Sequence, residues 1–145
     1  MMNSKSSNDF RWSVRLTGNT CKWIGLGIAS NKLVQNKLSE IINYEDTNAI
    51  VYYPQGGYIQ GNNLYQTYKS RNATSGDEIH FRFQPKLKKF FISFVSQLFW
   101  HFSFLNLEFQ KDEEQAVDIK EGIDYFPVME GGIGDSATLF KPQEG

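Results

Sequence analysis

The stretch FRWSVRL, residues 10–16, decides how the rest of the chain is read. Phe10, Trp12, Val14 and Leu16 fall on alternate positions, and Arg11, Ser13 and Arg15 fall between them. A strand sends successive side chains to opposite faces, so this pattern predicts a strand with one face buried and the other wet. TGNT supplies turn residues, and KWIGLGIA follows as a second strand, which predicts a hairpin of the two. In the second strand Ile24, Leu26 and Ile28 share one face. Gly25, Gly27 and Ala29 share the other, where small residues let a neighbouring segment approach closely.

The same period continues along the chain. AIVYY reads as a strand, PQGGY as a turn, and NNLYQTY as a short strand in a loop-rich region. In SGDEIHFRFQ the Ser75-Gly76-Asp77 turn precedes Ile79, Phe81 and Phe83, which alternate with Glu78, His80 and Arg82. VDIKEGIDYFPVME and GGIGDSATLF read as further strands joined by Gly-rich turns. One helix is expected, over SNKLVQNKLSEIINY: Val34, Leu38, Ile41 and Ile42 recur at helical spacing, and Ser30 or Asn31 can cap it. Many short strands with frequent turns and no internal repeat predict an all-β, two-sheet antiparallel sandwich.

Composition sets the outer bounds. The chain has 145 residues, about one domain, with a net charge of −1 and 15% aromatic side chains. Residues 10–141 are expected to form that domain, with 1–9 a disordered tail and 142–145 a second tail. No basic field invites nucleic acid. Cys21 is the only cysteine and the polar start MMNSKSSNDF lacks a secretory stretch, so an intracellular, cytoplasmic or nuclear, location is expected. Without secretion, the sequon at Asn72 is only a loop sequence.

Six segments taken in order, FRWSVRL, KWIGLGIA, YYPQGGY, SGDEIHFRF, KKFFISF and DYFPVMEGG, together resemble the SPRY (B30.2) family, across residues 10 to 140. The resemblance implies a concanavalin-like sandwich that acts as a non-catalytic protein-recognition module. The partner, a short peptide or loop, meets a shallow surface of loops at one end, often within a larger assembly. The matching positions are Tyr53, Gln55 and Tyr58 in YYPQGGY, and the turn in MEGGIGD, where Ile133 and Gly134 stand in place of the Trp-Gly of some members. The chain departs from the family in two ways. The strands that precede the Trp-containing strand are missing, and an apolar insertion follows KKFFISF.

That insertion is VSQLFWHFSFLNLEFQ, residues 95–110, and residues 90–109 hold seven of the 12 Phe. Removing it joins a good strand to the polar turn KDEEQ and restores the family spacing. Val95-Ser96 can be encoded by GTAAGT, a strong donor splice sequence. Phe109-Gln110 can be encoded by TTTTAG where TAG is read as glutamine, so a translated, retained intron is one reading. An amphipathic helix is another, because Phe91, Val95, Leu98, Phe102, Leu105 and Phe109 alternate at spacings of four and three. A membrane association through 90–109 is a third: a span needs about 20 mainly apolar residues, and this run contains Ser93, Ser96, Gln97, His101, Ser103, Asn106 and Glu108. An extra strand or disorder completes the set.

The sequence carries no recognisable catalytic constellation, and no cofactor is expected. His80 reads as a surface residue of a strand, and His101 lies in the insertion. No metal-ligand spacing, nucleophile elbow or phosphate loop occurs. Glycosidases need two carboxylates roughly 5 to 9 Å apart. Asp118, Glu121 and Asp124, or Asp112, Glu113 and Glu114, are the clustered candidates, and they read as solvated acids. A glycan-binding sandwich remains the alternative to peptide recognition.

Overall fold

In the computed structural model of the chain, the described residues are 2–17, 24–30, 49–61, 64–68, 76–99, 107–111, 113–130 and 137–140. Residues 64–65, 97–99, 107–111, 130 and 137–140 are described by backbone only. Among the described residues eleven strands run in chain order: β1 Phe10–Leu16, β2 Gly25–Ser30, β3 Ala49–Tyr53, β4 Tyr58–Gly61, β5 Leu64–Thr67 and β6 Glu78–Gln84 come first. β7 Lys89–Phe99, β8 Leu107–Lys111, β9 Gln115–Asp118, β10 Tyr125–Glu130 and β11 Ala137–Phe140 complete them. They form two antiparallel sheets. One has the order β11-β1-β6-β7-β8 with β9 also on β7, and the other has the order β10-β2-β3-β4-β5.

The alternation in FRWSVRL does what it predicts: Trp12, Val14 and Leu16 enter the core, while Arg11 and Arg15 stay exposed. β1 pairs with β6 in a register that sets Trp12 opposite Phe81 and Phe10 opposite Phe83. Phe83 in turn lies opposite Phe90 of β7. The Trp12 ring stacks on Phe81 and Phe90, with centroids 5.2 and 5.8 Å away. From the second sheet Leu26, Ile28, Ile50, Tyr52 and Ile59 join the same buried cluster. Fully burying a side chain of this size contributes about 1.5–3 kcal/mol, so this shared layer holds the two sheets together.

Three expectations are corrected. β1 and β2 do not form a hairpin, because β1 pairs with β6 and β11 while β2 pairs with β3 and β10 in the other sheet. Alternation fixes which face of a strand is apolar but does not select its neighbour. Residues 2–9 are not a free tail: Met2 is buried in the core and exchanges two backbone hydrogen bonds with Tyr125, at 3.1 and 2.7 Å. The described parts of the insertion are strands rather than a helix, since β7 runs on to Phe99 and β8 pairs back along it. Among the described residues there is no helix. The helix expected over 30–44 falls outside them apart from Ser30, which ends β2.

Candidate recognition site

The turn between β3 and β4 carries the three aromatic-loop candidates. Tyr53 and Tyr58 lie directly opposite each other in the β3–β4 register, so their side chains rise from the same face. Their ring centroids are 5.0 Å apart with a 36° tilt, and both residues are half-buried. Between them Pro54 is buried and Gln55 is exposed at the tip. The Gly57 N–H donates to the Tyr53 carbonyl at 2.9 Å, which closes the turn. Gly57 has φ of 71°, the left-handed conformation that glycine adopts without steric cost. Its own carbonyl accepts from the Tyr68 N–H at 2.8 Å, tying the turn to the end of β5.

Each tyrosine ring is braced by a glycine. A Cβ on Gly25 would lie 2.6 Å from a ring carbon of Tyr53, and one on Gly56 would lie 2.3 Å from a ring carbon of Tyr58. The small face of KWIGLGIA therefore makes room for the Tyr53 ring, and for β3 itself, while Gly56 of the turn makes room for Tyr58. Neither Gly25 nor Gly56 stands out as a site residue in the sequence. The readable signal is a glycine on a strand that pairs with a tyrosine-bearing one. Tyr52, next in sequence, points the other way: it is fully buried and packs edge-on against Tyr68 at 5.1 Å.

Register brings further loops to this end of the sandwich. Glu130, the last residue of β10, pairs with Gly25, whose open face Tyr53 covers. The chain thus leaves β10 toward 131–136 at the sheet end that bears the tyrosines. Ile133 and Gly134 fall outside the described residues, so the structure positions only the ends of their loop. The connections 17–24 and 68–77, which link one sheet to the other, leave from this end as well.

The polar face of the other sheet holds a separate cluster. Arg15 Nη2 donates to Glu78 Oε2 at 2.8 Å, and His80 Nε2 lies 3.0 Å from Glu78 Oε1. Since an ionised carboxylate only accepts, Nε2 carries the proton. Burial acts to raise the Glu78 pKa, but the hydrogen bonds and charges of His80 and Arg15 together outweigh it, and the carboxyl sits below its ordinary value. The acids considered for catalysis are dispersed. Asp118 pairs with Lys89, Glu121 with Lys88, Glu114 with Arg82, and Asp124 accepts from Asn3 at 2.9 Å. Among the described residues no group of acids, His and Cys is arranged to hold a metal ion. No helix there is long and apolar enough to cross a membrane.

Two antiparallel sheets around one aromatic core make an antiparallel β-sandwich with a SPRY-like fold. The structure is similar to the SPRY domain of human HERC1, with a TM-score of 0.57 and 15% sequence identity, over 97% of this chain and 79% of that one. At that identity the likeness is one of fold, and function has to be argued from the site. No family model matches the sequence, and no curated protein matches it.

Proposed function

We propose that the chain is a non-catalytic protein-recognition module that docks a short extended peptide or loop on the surface around Tyr53, Gln55 and Tyr58. The observation that carries the reading is the braced tyrosine pair, two half-buried rings 5.0 Å apart on glycine floors beside an exposed Gln55. Tyrosines held in this way offer a large rigid contact area at low entropic cost, each with a polar tip. Docking on a preformed surface needs little backbone change. Ile133 and Gly134 belong to the same proposal through the shared end of the sheet. So does an intracellular setting with a protein partner, rather than nucleic acid or membrane.

The test is selection from a random peptide display library on the folded domain, with Tyr53→Ala and Tyr58→Ala as comparators. Enriched peptides are expected to bind each variant at least tenfold more weakly than the parent domain, a loss of about 1.4 kcal/mol. Enriched peptides that bind the variants as well as the parent would move the site elsewhere. A flat peptide selection beside a positive glycan array would replace the reading with the glycan alternative.

A further inference from the structure

β7 has two partners along one edge. Its first part, Lys89 to Ile92, pairs with β9, and its last part, Val95 to Phe99, pairs with β8. The residues of β7 that enter the apolar core are Phe90, Ile92 and Phe94, all before the second part begins. Val95 is buried, yet among the described residues it belongs to neither apolar cluster.

The chain that returns from β8 is held independently of it. The Tyr68 hydroxyl donates to the Glu113 carbonyl at 2.6 Å, Arg82 Nη2 donates to Glu114 Oε2 at 2.7 Å, and Gln115 pairs with Ile92. Val95 and Lys111 lie directly opposite each other at the base of the β7–β8 ladder. Opposed residues of an antiparallel pair have Cα atoms roughly 5 Å apart, against about 3.8 Å for bonded neighbours. Phe94, one residue before Val95, is diagonal to Lys111 at roughly 6 Å, so taking out residues 95–110 asks for a local closure of about 2 Å where Phe94 would meet Lys111.

We propose that residues 95–110 are an insertion into the domain, a hairpin extension whose removal takes away β8 and the end of β7 but leaves the other strands of both sheets and the apolar core cluster in place. After excision, Ser93, Phe94, Lys111, Asp112, Glu113 and Glu114 connect Ile92 to Gln115, a length close to that of ordinary hairpin loops. Every anchor named above survives: the β7–β9 ladder, the Tyr68 and Arg82 hydrogen bonds, and the three core residues of β7. The extension also has a defined place. Val95 is level with Glu78, and Glu78 with Arg15 near the end of β1. Residues 96–99 and 107–110 thus run past the loop-bearing end of the sheet, and any influence on partner docking rests on the recognition reading above.

The experiment compares the full chain with two variants, one in which 95–110 is deleted and one in which it is replaced by the two-residue turn Asn-Gly. Thermal unfolding by circular dichroism and hydrogen-exchange protection of the β6 and β7 amides are read for each. The expected result is a cooperative transition in at least one variant, within about 5 °C of the full chain, with the protection of residues 89–94 retained. Loss of the cooperative transition in both variants would overturn the proposal. These readouts report folding and not binding, so a failed recognition site would leave the result unchanged.

Discussion

Gly27→Ala is expected to be among the most damaging single-methyl additions in this domain. A Cβ at Gly27 would lie 1.9 Å from the carbonyl oxygen of Ile50 and 3.0 Å from the Cα of Val51. A close carbon–oxygen contact is roughly 3.3 Å, so β2 and β3 would have to part locally by more than about 1 Å. Backbone cannot rotate away as a side-chain tip can. The obstructed atoms belong to the ladder that aligns Leu26, Gly27, Ile28 and Ala29 with Tyr52, Val51, Ile50 and Ala49, at the centre of the five-stranded sheet. Losing two or three of its hydrogen bonds, at about 1 kcal/mol each, and leaving their buried groups unpaired brings the cost to roughly 3–5 kcal/mol. In a domain of this size that lowers the melting temperature by roughly 10 °C or more.

Gly122→Ala is the control, because Gly122 has φ of 78° with nothing within 4 Å of an added Cβ. It carries only the conformational penalty, about 1–2 kcal/mol. Thermal unfolding of the two variants beside the parent chain measures the difference. A Gly27→Ala variant that melts no lower than Gly122→Ala would refute the close-approach argument, and with it the reading of the small face of β2.

Further outcomes follow from other contacts. Because the folded pKa of Glu78 is lowered, its contribution is present above the ordinary carboxyl pKa and is lost as pH falls through the lower folded value. Glu78→Gln should therefore cost about 1–2 kcal/mol at pH 7 and progressively less as pH falls below the ordinary carboxyl value, and denaturant melts over a descending pH series check the convergence. Tyr68→Phe keeps the ring against Tyr52 but removes the hydroxyl that donates to Glu113, so a loss of about 1 kcal/mol is expected in the same melts. A loss near zero would free the 113–114 segment from that anchor. Phe90→Ala removes a ring stacked on both Trp12 and Phe81 and should cost about 3–5 kcal/mol, read as a red shift of tryptophan emission with partial unfolding. If 95–110 is a retained intron, messenger RNA sequenced across the codons for Phe90 to Lys111 will lack it. A message collinear with the gene there would end that reading while leaving the structural insertion intact.

Alternation in the sequence by itself determined where most strands lie and which face of each is apolar. FRWSVRL, AIVYY and EIHFRFQ form strands over those same residues, because a period of two is a local property that needs no knowledge of neighbours. The aromatic turn was legible for the same reason: tyrosines flanking Pro and Gly mark a turn wherever the strands go. Tertiary structure alone decided how the strands pair. It sent β1 and β2 to different sheets and drew Met2 onto Tyr125. It also made β-strands of the described parts of an insertion whose spacings suit a helix as well, since β7 offers a ladder on which β8 can satisfy its backbone. The site divides along the same line. Tyr53, Gln55 and Tyr58 can be picked from the sequence, but Gly25 is remote from them in the chain and meets Tyr53 only through packing of β2 against β3. Pairing and packing depend on contacts between distant residues, so they are settled only when the whole chain has closed around its core.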